Sequence, residues 1–148
     1  MLDYYQDLYY MEEAMRMAQR AYDAGEIPVG AVVVAGDRII ARAWNQTEQM
    51  KDVTAHAEIL AITAASDYFA GKYLSDCTLY VTLEPCIMCA GALYWSQMKR
   101  VVYGASDEKR GFSQLEKSVL HPKTRLTTGV MAEESKALLQ KFFRGLRT

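Results

Sequence analysis

Two short motifs carry the chemistry this sequence could do. The first is His56-Ala57-Glu58, and the second, 26 residues further on, is Pro85-Cys86-Ile87-Met88-Cys89. Either motif alone has an ordinary reading: His-x-Glu recurs by chance, and a lone C-x-x-C is equally a redox pair or two small buried side chains. Together they make a ligand set. Residues three apart share a helix face, so both thiols can reach one ion. A helix N-terminus also favours thiolates. One histidine nitrogen and two thiolates give three zinc ligands, the number found at catalytic sites that keep a fourth position for water. The two thiolates balance the charge of Zn²⁺. Glu58 lies on a different azimuth from His56 and suits a separate task, because a carboxylate beside metal-activated water can take a proton and pass it on. A first-turn acid also complements the helix dipole. That explains why an acid is tolerated there, but not why one falls beside three candidate ligands.

The elements that must position these residues can be read from periodicity. Leu8, Met11, Met15, Ala18 and Tyr22 recur at steps of three and four, a helical stripe that Gly25 stops. Residues 30–34 and 39–44 read as strands around Gly36-Asp37, an antiparallel hairpin with Asn45 at its end. Thr54 suits the N-cap of a helix carrying His56, with Ile59, Leu60, Ile62 and Thr63 as its apolar face. Residues 79–83 form a strand, and Pro85 fits the first turn of the next helix, where its missing N–H costs nothing. That helix carries Cys86, Cys89, Ala92, Leu93 and Ser96. Residues 100–104 form another strand. Residues 105–125 read mostly as loop with a helical turn near 115–120, and 125–130 as a short strand. Leu138, Leu139, Phe142, Phe143 and Leu146 mark a final helix with one apolar stripe. Strand–helix–strand units from residue 79 onward imply parallel neighbours, whereas the first hairpin is antiparallel. The expectation is an α/β fold with a mixed sheet covered by helices on both faces.

The same motifs, with the residues around them, are similar to the zinc-dependent nucleoside and nucleobase deaminases, the cytidine/deoxycytidylate deaminase superfamily. Within that superfamily the chain most resembles the bacterial tRNA-specific adenosine deaminases. The resemblance runs through Ile27-Pro28-Val29-Gly30-Ala31-Val32, Asn45 and Thr54-Ala55-His56-Ala57-Glu58-Ile59. It continues in Tyr80-Val81-Thr82-Leu83-Glu84-Pro85-Cys86-Ile87-Met88-Cys89-Ala90-Gly91-Ala92, in Arg100-Val101-Val102-Tyr103-Gly104-Ala105 and in Phe142-Phe143-Arg144. It implies a cytidine-deaminase-like three-layer α/β/α domain with a mixed five-stranded sheet, spanning residues 1–148. It also implies a single Zn²⁺ per chain on His56, Cys86 and Cys89, with Glu58 as proton shuttle. Asn45 would hydrogen-bond the inserted nucleoside, the Ala57 N–H would hold the base, and Pro28 and Val29 would line the pocket. Asp107 would sit in a loop that meets the RNA. The implied reaction is hydrolysis of adenosine to inosine at the wobble position of a tRNA anticodon loop, and the implied assembly is a homodimer. The stretch Gly111-Phe112-Ser113-Gln114-Leu115-Glu116-Lys117 departs from the commoner pattern.

Composition fits this reading. The chain has 148 residues, 51% hydrophobic and 24% charged, with a net charge of −1. Those values suit a soluble domain with a sizeable core. No apolar run approaches the roughly 20 residues of a membrane span, and the N-terminus lacks the pattern of a secretory signal. Three cysteines, two in a C-x-x-C, argue for a reducing compartment, the cytoplasm. The near-neutral total hides a split: residues 1–96 hold 6 Lys/Arg against 13 Asp/Glu, and residues 97–148 hold 11 against 5. A basic second half suits a polyanion partner, although opposite solvated faces would give the same count. Other functions stay open at this level. A deaminase of free guanine or cytosine would use the same metal site on the same fold. A structural zinc domain would need four protein ligands where three are found. A thioredoxin-like reading of the C-x-x-C leaves His56 and Glu58 unused.

Overall fold

The computed structural model describes residues 2–146. Its elements follow the order α1 (Leu2–Asp23), β1 (Gly30–Ala35), β2 (Arg38–Trp44), α2 (Thr47–Met50), α3 (Ala57–Phe69), β3 (Cys77–Leu83), α4 (Ile87–Ser96), β4 (Arg100–Ala105), β5 (Arg125–Thr128) and α5 (Ala132–Leu146). A single 3₁₀ turn, Phe112–Gln114, interrupts the long connection before β5. The strands form one five-stranded sheet in the order β2-β1-β3-β4-β5. β1 is antiparallel to both β2 and β3, while β3–β4 and β4–β5 are parallel. The mixed sheet expected from the strand–helix–strand spacing is therefore present.

Alternation along the strands divides the core in two. Val32, Val34, Tyr80 and Val102 face α1, where they meet Tyr10, Met11, Ala14 and Met17. Ala31, Val33, Leu79, Val81 and Val101 face the opposite layer, where Ala57, Ala61 and Ala65 of α3 and Ala90 and Leu93 of α4 cover them. Small side chains on α3 and α4 let both helices lie close to the sheet and to each other, which is what two half-sites on separate helices require. Gly30 does the same for α1, since a Cβ there would overlap the Ala14 carbonyl oxygen.

Several local expectations shift. α3 begins at Ala57 with His56 as its N-cap, and α4 begins at Ile87 with Cys86 as its N-cap. Thr54 is thus not the cap; its N–H and hydroxyl both bond the Asp52 carboxylate. Pro85 lies just before α4 rather than in its first turn. α2 was not anticipated, because four residues leave no period. The turn in the 105–125 connection falls on 112–114 instead of 115–120, and β5 stops at Thr128. α1 is rotated from the expected stripe, burying Asp7, Met11, Ala14, Ala18 and Ala21 and leaving Met15 and Tyr22 only half-buried. In α5, Phe142 is buried but Phe143 and Leu146 are exposed, so the expected stripe splits between core and surface.

Candidate active site

The two ligand motifs meet because both occupy helix starts on one face of the sheet. His56 caps α3 and Cys86 caps α4, each in extended backbone, and Cys89 follows in the first turn of α4. The His56 Nδ1 lies 3.7 Å from the Cys86 Sγ and 3.5 Å from the Cys89 Sγ. One ligand atom from each of the three residues lies within 4.8 Å of the other two. The spacing and the N/S/S donor set fit a tetrahedral zinc with one position left over. The cluster holds its protons unevenly. A hydrogen bond from Cys89 lowers the Cys86 thiol to about 4, assisted by His56. The same pairing, with burial, pushes Cys89 up, and the Cys86 bond raises His56. A metal entering this cluster displaces those protons.

Glu58 is the second residue of α3 and is buried. Burial pushes its carboxyl up to about 7, against the opposing pull of its own backbone N–H and of His56. An acid poised there can both accept and release a proton near neutral pH.

A pocket of about 380 Å³ opens in front of this cluster, a size suited to a small ligand. Val29, Asn45, His56, Ala57, Glu58 and Cys86 line it, and Asp107 stands in its lining as well. Pro28 does not line it; it is buried in the α1–β1 connection, and Val29 alone of that pair reaches the pocket. Asn45 is buried, and its Nδ2 donates to the Ile27 carbonyl at 3.2 Å. That bond fixes the amide's orientation and leaves Oδ1 buried without a hydrogen-bond partner. A buried acceptor without a donor is costly. The Ala57 N–H belongs to the first turn of α3, whose donors the helix itself leaves unpaired.

The structure adds pocket residues that patterning could not assign. Leu139 and Phe143 of α5 form one wall and Arg110 stands at the mouth, which explains why Phe143 lies outside the core. The mouth continues into a wider groove lined by Lys109, Arg110 and Arg144. Asp107 organises this rim through its own turn: its Oδ1 accepts the N–H groups of Lys109 and Arg110 at 3.1 and 3.0 Å. Two buried acids also went unnoticed, Glu26 and Glu84. Glu26 accepts the N–H groups of Glu48 and Gln49 at 3.0 and 2.7 Å, which fastens α2 beside Asn45.

Comparison with known proteins agrees with this geometry. Residues 5–147 match the family model of the MafB19-like deaminases. A tRNA-specific adenosine deaminase from Aquifex aeolicus is 44% identical over 144 residues, covering 94% of this chain and 95% of the relative. A solved structure described for A-to-I editing at the wobble position of transfer RNA superposes with a TM-score of 0.83 at 38% identity, covering 88% and 98% of the two chains. The guanine deaminase structure from Bacillus subtilis shares 41% identity with a TM-score of 0.64, but over 66% of this chain and 63% of that one. Fold and His/Cys/Cys cluster together define a deaminase of the MafB19-like class. Within that class the chain belongs to the tRNA-specific adenosine deaminase family.

Proposed function

We propose that this protein converts adenosine to inosine by hydrolysis at the wobble position of a tRNA anticodon loop. The observation that carries the reading is the His56/Cys86/Cys89 cluster opening on a pocket that also holds the buried Glu58 carboxyl. His56, Cys86 and Cys89 would hold a single zinc ion per chain. Zinc at such a site supplies a water reactive near neutral pH. Glu58 takes a proton from the attacking water and delivers it to N1 of adenine as C6 becomes tetrahedral. It then carries the proton of the new C6 hydroxyl to the amino group, which leaves as ammonia as the C6–N bond breaks. The Asn45 Oδ1 accepts a hydrogen bond from a donor on the nucleoside, for which a ribose hydroxyl is suited. The Ala57 N–H donates to the base, and Val29 packs against it.

The target base must be unstacked to enter the pocket, and an anticodon loop offers unpaired bases at low cost. Lys109, Arg110 and Arg144 around the groove supply positive charge for the loop's phosphates, and Asp107 stands between groove and pocket. Exposed apolar side chains on the α3–α4 side, among them Ile87, Tyr94 and Trp95 of α4, support a homodimer. No described helix is long and apolar enough to cross a membrane. The free thiols of the cluster suit the reducing cytoplasm. The whole of residues 1–148 acts here as a single deaminase domain.

A second reading is a deaminase of free guanine or cytosine, supported by the likeness to the Bacillus subtilis guanine deaminase. Incubation with total tRNA and with free bases, followed by nucleoside and base analysis, separates them. Inosine in the tRNA is the expected product; xanthine or uracil with unchanged tRNA would favour the second reading.

A further inference from the structure

The connection between β4 and the 3₁₀ turn carries Asp107, Lys109 and Arg110, yet most of it is exposed and it has almost no core of its own. What holds it in place is Glu84. This residue follows β3, immediately precedes the Pro85-Cys86 segment, and is 3% exposed. Its Oε1 accepts the Asp107 N–H at 3.0 Å and its Oε2 accepts the Ser113 N–H at 2.9 Å. Both oxygens are therefore used by the loop. Gly111 lies directly against the carboxyl group, where any Cβ would overlap it. Its φ of −65° is open to other residues, so the need for glycine here is one of space. Around this contact the loop is pinned to the metal-ligand segment by one further feature, an isolated antiparallel bridge between Gly111 and Cys86. Within it the Phe112 N–H donates to the Pro85 carbonyl at 3.0 Å.

We propose that Glu84 is a positioning residue, whose buried carboxylate clips the 106–113 loop to the cysteine-bearing segment and thereby sets where Asp107 and Arg110 stand at the pocket mouth. This rests on the RNA-deaminase reading above. A carboxylate presents two acceptor oxygens, so it can hold both ends of a short loop at once. Charge-assisted bonds to backbone N–H groups are the strong kind. In Glu84→Gln one acceptor becomes an NH₂ group facing an N–H, so one end of the loop is released while volume and packing are kept. Gly111→Ala attacks the same contact from the loop side.

The test measures zinc-loaded wild type, Glu84→Gln and Gly111→Ala in two ways. Amide hydrogen exchange reads the loop directly: Asp107 and Ser113 should exchange faster in both variants while α3 and α4 keep their protection. Kinetics on an anticodon stem-loop should show KM raised roughly 10- to 100-fold, the factor a charged hydrogen bond carries, with kcat changed far less. Unchanged exchange at Asp107 and Ser113 overturns the clip. Faster exchange there with unchanged KM reduces Glu84 to a structural contact and overturns its positioning role, as does faster exchange spread evenly over the chain. Should wild type fail to deaminate the stem-loop, the RNA reading fails, while the exchange measurement, which needs no substrate, still decides whether Glu84 holds the loop. If Glu84→Gln does not fold, Gly111→Ala carries both measurements.

Discussion

Cys86 and Cys89 should be indispensable for metal and Glu58 dispensable for it. Replacing both cysteines by alanine leaves His56 alone in the cluster, so metal analysis of the purified double variant should find no zinc; retained stoichiometric zinc would refute the ligand set. Glu58→Ala should keep its zinc and lose turnover by roughly 10²–10⁴-fold, the usual worth of a positioned proton shuttle. A near wild-type rate would remove Glu58 from the mechanism. The His56, Cys86 and Cys89 cluster was legible because metal chemistry restricts both residue type and spacing. Asn45 stood out only through the family resemblance, since an asparagine closing a strand is equally a turn residue. What the structure adds is the bond from its Nδ2 to the Ile27 carbonyl, which leaves Oδ1 buried without a partner in a residue that lines the pocket. Such a contact joins residues 18 apart and leaves no local signature. Glu26 and Glu84 were missed for the same reason. An acid in a sequence reads as surface, and only the fold shows that the partners of these two are backbone N–H groups from segments distant in the chain.

At the scale of elements, strands and long helices followed their periodicity, while ends and short pieces did not. α3 and α4 stop at Ala70 and Gln97, both in left-handed backbone with φ of 52° and 56°. Glycine is the usual signal for such a stop, so neither was visible. The starts were displaced because His56 and Cys86 sit at the caps without a capping side-chain bond; their side chains turn instead toward each other and Cys89. α1 is rotated from its expected stripe by a polar anchor. Asp7 is buried, takes a 2.7 Å hydrogen bond from the Tyr80 hydroxyl, and pairs with Arg100 at 2.8 and 2.7 Å. Burial and the Asp7 bond both raise the Tyr80 pKa. Because the folded value lies above the unfolded one of about 10, the stabilisation from this tyrosine is complete below that pH. It is lost as the pH climbs through the folded value. Tyr80→Phe should therefore cost about 1.5–3 kcal/mol at neutral pH. The gap to wild type in urea melts should narrow above about pH 10; a gap independent of pH would show that the hydroxyl's proton is not involved.

At the scale of the whole molecule, the distribution of charge is what bears on a polyanion approaching the site. The acidic first part and the basic second part, apparent in the sequence, acquire a location in the structure, with Lys109, Arg110 and Arg144 around the groove beside the pocket. Arg147 also belongs to the basic set but lies outside the described residues. Phosphate contacts make affinity fall with salt, with a log–log slope of about −0.7 per neutralised phosphate on single strands. Reversing Lys109 and Arg110 to glutamate should thus weaken stem-loop binding, flatten that slope and leave zinc in place; an unaltered slope would put the RNA on another face. Sedimentation at micromolar concentration should give a dimer, and a 16.7 kDa species would contradict the assembly read from the exposed α3–α4 side. The most direct test compares kcat/KM of the zinc-loaded protein on an anticodon stem-loop bearing a wobble adenosine with that on free guanine and free cytosine, at low salt, with Glu58→Ala as control. The account predicts inosine in the stem-loop from wild type, little or none from the variant, and no appreciable xanthine or uracil. Efficient formation of xanthine or uracil with no inosine would contradict it.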